Sequence, residues 1–203
     1  MEYSFYTISS NSTATYKDKG SKFIAFAYPV GNEEKVKEYL DELKNRFHDA
    51  RHHCYAYKIG VSNILERMND DGEPSGTAGK PIHGQILSAS LTNVLIAVVR
   101  YFGGTLLGTG GLIHAYKTAA AAAISHAKIV KKILRDKIDI EFGYPVINQV
   151  MQVIKEEQIE NADYDLREKC RISIQSDPGK TEQLLQRFVL IDNLEVKITK
   201  PCL

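Results

Sequence analysis

The sequence contains no tryptophan and only three cysteines, Cys54, Cys170 and Cys202. An odd number of widely separated cysteines argues against a disulfide framework and indicates free thiols in a reducing cytosol. No apolar run approaches the roughly 20 residues needed to span a bilayer, and the first residues lack the basic and apolar segments of a signal peptide. We therefore expect a cytoplasmic protein with no membrane partner.

The net charge is also small: the 203 residues carry a formal charge of +1. Residues 1–134 hold 16 Lys and Arg against 12 Asp and Glu, a net of +4, whereas residues 135–203 hold 10 against 13, a net of −3. This difference supports two domains, 1–134 and 135–203. A charge of +4 permits contact with RNA but is weaker than the basic footprint of most autonomous nucleic-acid-binding domains.

Apolar periodicity predicts three strands in the first domain, over residues 21–30, 52–61 and 93–102. The last of these is a nearly continuous apolar run, which is typical of a central strand buried on both faces. Helices are predicted with Asn32 as an N-cap, with Pro81 in a first turn, and over residues 109–127.

The pattern restarts after Lys128, and we place the domain boundary near residue 134. Strands and helices are then predicted in the order βαββαβ, which is the ferredoxin-like pattern. The strands are expected at 136–142, 158–166, 167–175 and 194–199, and the helices at 145–157 and 177–190.

The first of two glycine-rich segments is the loop NDDGEPSGTAGKP. Its carboxylates at Asp70, Asp71 and Glu73 could ligate Mg²⁺, which prefers oxygen ligands, or supply a general base. They could also cap backbone amides in a solvated turn. Ser75, Thr77 and the amides that lead into the next helix suit an anion.

The second segment, RYFGGTLLGTGGLIHAYK, follows the predicted central strand and opens the long helix. It lacks the Gly-Lys-Ser/Thr of a Walker A loop, and it lacks the last glycine and the acidic residue of a dinucleotide-binding fingerprint. Two interpretations remain open. The glycines allow a tight turn and close packing of an alanine-rich helix, or exposed amides at the helix start bind a phosphate, with Arg100 and Lys117 adding positive charge.

Histidines, a cysteine and aromatic residues near the predicted strands also have ordinary structural roles. The stretch HDARHHC has no second cysteine–histidine cluster, so we predict no metal site and no cofactor, and we expect His52 or His53 to hydrogen-bond a strand or loop. Cys54 is expected to be a small core residue rather than a nucleophile. Tyr101 and Phe102 could stack on bases or belong to the core.

Four segments together resemble the IMPACT/YigZ family: KGSKFIA, DARHHCYAY, RMNDDGEPSGTAGKPI and NVLIAVVRYFGGTLLGTGGLIHAY. The resemblance implies an α+β protein, with an amino-terminal domain of the ribosomal protein S5 domain 2-like fold and a small ferredoxin-like domain after it. That pairing resembles the last two domains of elongation factor G. Eukaryotic relatives are linked to control of translation initiation, so the resemblance implies a role connected with translation or RNA.

Residues that match the family's motifs include Asp49, His52, the loop residues 70–79 and most of the second glycine-rich segment. Two positions depart from it. Leu106 stands where many relatives have a lysine and His114 where they have an arginine, which removes two cations beside the glycine turn. His114 could still contribute when protonated.

We therefore expect a non-enzymatic binding protein that contacts RNA, the ribosome or a translation factor through its glycine-rich loops. The alternatives are an Mg²⁺-dependent enzyme acting on a phosphorylated small molecule or nucleotide, and a protein–protein docking module. The residues expected to contact a ligand are His52, Asp70, Asp71, Glu73, Ser75, Thr77, Lys80, Arg100, Tyr101, Gly103, Gly104, Gly108, Gly110, Gly111, His114 and Lys117.

Overall fold

The computed structural model of the chain describes residues 4–61, 63–159, 162–167 and 169–199. Contacts divide the chain between Lys132 and Ile133 into two compact units. The first unit is Phe5–Lys132, and the second contains the described residues within 133–199. In the parts of the chain that the structure describes, no helix has both the length and the apolar character needed to cross a membrane.

The first unit is built around an antiparallel sheet of five strands. Its elements, in chain order, are β1 (Ser4–Ile8), β2 (Ser12–Asp18), β3 (Ser21–Pro29), α1 (Glu33–Arg46), β4 (His52–Ile59), β5 (Leu65–Asn69), α2 (Gly79–Ser88), β6 (Val94–Tyr101), α3 (Gly108–His126) and β7 (Ile129–Ile133). The strand order in the sheet is β2-β3-β6-β4-β5, and each neighbouring pair is antiparallel. Strands β1 and β7 pair separately.

Strand β6 lies at the centre of this sheet, as its apolar run predicts. Ile96 and Val98 belong to a core shared with α2 and α3. Leu95 and Val99 belong to a second core, to which α1 contributes Val36. Because helices cover both faces, the strand is apolar at nearly every position.

The predicted helices of this unit are confirmed, and α1 begins as expected at Asn32, whose side chain accepts a hydrogen bond from the Lys35 amide at 2.9 Å. Four strands were not predicted. Strands β5 and β7 expose most of their side chains, and β2 fully buries only Ala14, so all three carry little apolar periodicity. Strand β1 is only five residues long.

The second unit has the predicted βαββαβ order: β8 (Asp136–Phe142), α4 (Ile147–Glu156), β9 (Ala162–Leu166), β10 (Cys170–Ser176), α5 (Thr181–Val189) and β11 (Leu194–Thr199). Its antiparallel sheet has the strand order β11-β8-β10-β9. Ile140 and Phe188 lie in its core. Other sheet residues form ion pairs between neighbouring strands, as Arg171 does with Glu141.

Two of the three cysteines are buried free thiols. Cys54 lies in the core between the sheet and α2 and α3, and Cys170 lies in the core of the second unit. The expectation that Cys54 is a core residue is confirmed. Cys202 lies outside the described residues.

The glycine-rich segment after β6 passes very close to the turn between β2 and β3. A Cβ atom at Gly103 would lie 1.9 Å from the carbonyl carbon of Gly20 and 2.1 Å from the nitrogen of Ser21. The Gly103 amide also donates a hydrogen bond to the Ser21 hydroxyl at 3.1 Å. Close packing therefore requires glycine at this position. At Gly110, by contrast, a Cβ atom would meet no neighbouring heavy atom within 4 Å among the described residues.

We predict that Gly103→Ala and Gly110→Ala change stability in opposite directions. The first forces two backbone segments apart and should lower the free energy of unfolding by about 3 kcal/mol, the upper end for an overpacked site. The second adds a methyl group to open space in a helix and should raise it by about 0.5–1 kcal/mol. Urea unfolding of both variants measures the difference, and a Gly103→Ala protein as stable as wild type would contradict the packing explanation.

Candidate functional site

Asp70 holds together the acidic loop between β5 and α2. One carboxylate oxygen accepts the Gly76 amide at 2.9 Å, and the other accepts the amides of Ala78 and Gly79 at 3.0 and 2.8 Å. Burial alone acts to raise the pKa of Asp70, but these three hydrogen bonds outweigh it and the pKa is lowered. The capping role considered from the sequence is thus confirmed for Asp70. The sequence suggested that these amides could bind an anionic ligand, but in the structure they donate to the Asp70 carboxylate.

Glu73 places a buried carboxylate in the same loop, with only 3% of its side chain exposed. Its Oε1 atom accepts hydrogen bonds from Nη1 of Arg100 at 2.5 Å and from the Tyr116 hydroxyl at 2.8 Å. Arg100 lies in β6 and Tyr116 in α3, so one carboxylate joins the loop to both elements. Such partners are required, because a buried charge without them is strongly destabilising.

Arg100, which was expected to add positive charge for a phosphate, is largely buried. Only 7% of its side chain is exposed, and its guanidinium lies 5.4 and 5.7 Å from the ring centroids of Phe23 and Phe102. Nη1 is bound to Glu73, whereas no acceptor among the described residues reaches Nε. The charge of Arg100 is therefore balanced by Glu73, and part of its hydrogen-bonding capacity is unused.

Cys54 and Tyr116 extend this network into the core. The Cys54 sulfur lies 3.0 Å from the Asp70 carbonyl oxygen and 3.3 Å from the Tyr116 hydroxyl oxygen. Burial raises the pKa of both the Cys54 thiol and the Tyr116 phenol. Since only a thiolate is an effective nucleophile, the protonated Cys54 has a structural role here.

Asp71 joins the acidic loop to β4. Its Oδ2 atom accepts a hydrogen bond from the His53 amide at 2.6 Å, and its carbonyl oxygen lies 2.8 Å from Nδ1 of His52. The expected histidine contact with a loop is confirmed for His52. Among the described residues, no three His, Cys, Asp or Glu side chains converge in an arrangement that could hold a metal ion.

The two glycine-rich segments meet at a cleft of about 490 Å³. Four residues expected to contact a ligand line it: His52, Glu73, Arg100 and Gly108. These residues come from β4, the acidic loop, β6 and the start of α3. The fold therefore brings together parts of both segments that were singled out separately in the sequence.

Helix α3 begins at this cleft without a side-chain cap. Leu107 occupies the N-cap position, and the first turn contains no acidic residue. Gly108 and Thr109 line the cleft. The first amides of a helix have no acceptor within the helix and carry partial positive charge, so this end suits an anionic group.

The cleft lies within a segment shared with other proteins, since residues 19–124 match the Impact N-terminal domain. The chain belongs to the IMPACT family. IMPACT family member YvyE of Bacillus subtilis is 32% identical over 158 residues, which cover 78% of this chain and 73% of the relative. IMPACT family member YigZ of Escherichia coli is 30% identical over 166 residues, which cover 80% and 81%.

A solved structure extends the likeness over almost the whole chain. The crystal structure of a hypothetical protein matches with a TM-score of 0.71 and 27% sequence identity, covering 97% of both chains. This IMPACT family member therefore shares its mixed α and β architecture with that protein.

The other residues expected to contact a ligand lie outside the cleft, and Thr77 and Tyr101 among them hydrogen-bond other parts of the protein. The Thr77 hydroxyl donates a hydrogen bond to the Pro74 carbonyl at 2.6 Å, and the Tyr101 hydroxyl donates one to Asp49 at 2.7 Å. These two residues do not line the cleft, and neither do Asp70, Asp71, Ser75, Lys80, Gly103, Gly104, Gly110, Gly111, His114 and Lys117.

The cleft also contains side chains that the sequence prediction did not include. Arg51 and Thr109 line it beside residues that were included. Phe102 is 44% exposed and Leu106 is 82% exposed, so the cleft presents apolar surface beside the buried ion pair. The sequence left open whether Phe102 stacks on a base or belongs to the core, and its exposure of 44% places it outside the core. An apolar residue in a glycine-rich turn was the one sequence feature from which the position of Leu106 at the cleft could have been predicted.

We predict that Asp70→Asn destabilises the protein at neutral pH. An asparagine has one oxygen, so at least one of the three loop amides loses its acceptor, at a cost of about 1–3 kcal/mol. Because folding lowers the pKa of Asp70, its contribution is present above the ordinary carboxyl pKa and is lost as the pH falls through the folded-state value. Urea unfolding across an acid titration should show the variant and wild type converging. An unchanged gap at acid pH would contradict this role.

The ion pair between Arg100 and Glu73 gives a second prediction. Arg100→Met leaves Glu73 buried without its cation and should cost about 3–5 kcal/mol of stability. The double variant Arg100→Met, Glu73→Gln removes both charges and should recover much of that loss. Thermal unfolding of the single and double variants tests this coupling, and equal destabilisation of the two would argue against it.

Proposed function

We propose that this IMPACT family member is a binding protein connected with translation, and that it contacts RNA through the cleft. The observation that carries the proposal is the position of the exposed Phe102 ring beside Arg51 and the uncapped start of α3. Aromatic rings stack on nucleic-acid bases, and positive charge follows the backbone phosphates. Both kinds of contact are available in this one cleft.

Charge and family likeness support the same proposal. Residues 1–134 carry a net charge of +4, whereas the remaining residues carry −3. The family resemblance noted in the sequence implies a role connected with translation. We propose accordingly that the first domain, 1–134, is S5 domain 2-like and that the second, 135–203, is ferredoxin-like. The strand order β11-β8-β10-β9 and the βαββαβ order support the second assignment.

The contacts of the acidic loop favour binding over Mg²⁺-dependent catalysis. Both carboxylate oxygens of Asp70 accept backbone amides, and Glu73 is paired with Arg100. Cys54 is a buried thiol with a raised pKa. Two of the three candidate carboxylates, Asp70 and Glu73, are therefore engaged in holding the loop, and the candidate nucleophile Cys54 is held in the core.

We predict that the double variant Arg51→Ala, Phe102→Ala loses salt-sensitive co-sedimentation with purified ribosomes. A stacked base alone contributes about 1–3 kcal/mol, so removing the ring and a cation should weaken binding by at least about tenfold. The matched control is Arg67→Ala, Leu87→Ala, which removes an exposed cation and an exposed apolar side chain away from the cleft. The measurement is sedimentation at two salt concentrations.

Three outcomes separate the alternatives. Loss of binding in the cleft variant but not in the control supports the proposal. If the wild-type protein forms no complex with ribosomes, transfer RNA or other RNA at low salt, RNA binding is wrong. If partners captured from a lysate remain bound after nuclease treatment, a protein-docking function replaces it.

A further inference from the structure

The amino end of α3 and the side chain of Arg100 reach the same cleft. The helix is 19 residues long and its first turn has neither a capping side chain nor an acidic residue. Arg100 provides an independent indication of a ligand. It lines the cleft with only 7% of its side chain exposed, and its Nε–H has no acceptor among the described residues.

Buried hydrogen-bond donors without acceptors are rare and costly. Among the described residues, Glu73 accepts a hydrogen bond from Nη1 of Arg100, and Nε has no acceptor. An anionic ligand in the cleft would supply the guanidinium with a further acceptor and would also neutralise the partial positive charge at the helix start. Both features therefore call for the same chemical group.

The charges that line the cleft match one phosphate group. Arg51 and Arg100 supply two positive charges, and Glu73 supplies one negative charge. With His52 counted as neutral, the lining has a net charge of +1. The helix end adds a partial positive charge, so a single phosphate is electrostatically favoured over an uncharged ligand.

The remaining surface of the cleft is apolar. Phe102 and Leu106 are exposed at 44% and 82%, and Pro74, Leu107 and Leu112 also line the cleft. Its volume of about 490 Å³ is in the range of pockets that enclose a small ligand. Bases in a duplex are stacked on each other, so only an unpaired base offers a free face to the Phe102 ring.

We propose, on the basis of the RNA-binding function above, that the cleft holds one unpaired nucleotide of single-stranded RNA. Its phosphate lies at the first turn of α3 beside Arg51 and Arg100, and its base lies against Phe102. The ligand class is thus a nucleotide within a single strand, not a duplex.

Thr109 offers the sharpest test, because it lines the cleft in the first turn of α3. Thr109→Asp places a negative charge where the phosphate would bind. An acidic residue in a first turn suits the helix dipole, so this variant should melt at or above the wild-type temperature. In Thr109→Asn the new side chain has nearly the same shape as aspartate but carries no charge. Gln85→Glu in α2 adds the same charge away from the cleft.

Binding is measured by fluorescence anisotropy with a labelled single-stranded oligoadenylate and with a labelled RNA duplex. We expect Thr109→Asp to weaken binding of the single strand at least about tenfold through like-charge repulsion. Gln85→Glu should stay within about twofold of wild type, the small change expected of a distant charge. Thr109→Asn carries no charge, so it should bind the single strand more tightly than Thr109→Asp. The duplex should bind more weakly than the single strand.

The outcomes separate this inference from the proposed function. If wild type binds the single strand and Thr109→Asp binds it equally well, the nucleotide site is wrong and RNA binding stands. Equal binding of duplex and single strand also overturns the nucleotide site. If wild type binds neither RNA, the proposed function and the inference fail together.

Discussion

A carboxylate as deeply buried as that of Glu73 is tolerated only where a cation and hydrogen-bond donors reach it. Those partners come from β6, through Arg100, and from α3, through Tyr116. The acidic loop is therefore fixed against two elements that lie later in the chain. This one requirement explains why two glycine-rich segments meet at a common cleft, and why the residues around the cleft have defined positions.

Asp70 connects the same loop to the start of α2. The start of α2 needs acceptors for its first amides, and the methyl side chain of Ala78 at the N-cap cannot accept a hydrogen bond. The carboxylate of Asp70 supplies them instead. Two acidic residues that resemble metal ligands in the sequence thus serve the folding of the loop. The start of α3 lines the cleft, and its N-cap residue Leu107 provides no such acceptor.

Local patterns in the sequence predicted the elements whose signals are local. The apolar run of β6 and the Asn32 cap of α1 are of this kind, and both were recognised. The edge strands β2 and β5 were not recognised, because β2 fully buries only Ala14 and β5 fully buries no side chain, so neither shows a clear apolar alternation. The pairing of Arg100 with Glu73 could not be predicted either. It depends on how the loop folds back over the sheet, and no local pattern encodes that contact.

Leu106 lines the cleft and bears on the proposed binding of RNA there. The family resemblance implies a lysine at this position, whereas this chain has a leucine that is 82% exposed and lines the cleft. His114, the other departure, does not line it. Replacing a cation by an apolar side chain removes a phosphate contact but adds surface on which a base can rest. Each phosphate contact contributes to the salt dependence of nucleic-acid binding, and stacking contributes little to it. Under the proposed RNA-binding function, Leu106 therefore shifts the balance from charge towards apolar contact with the base.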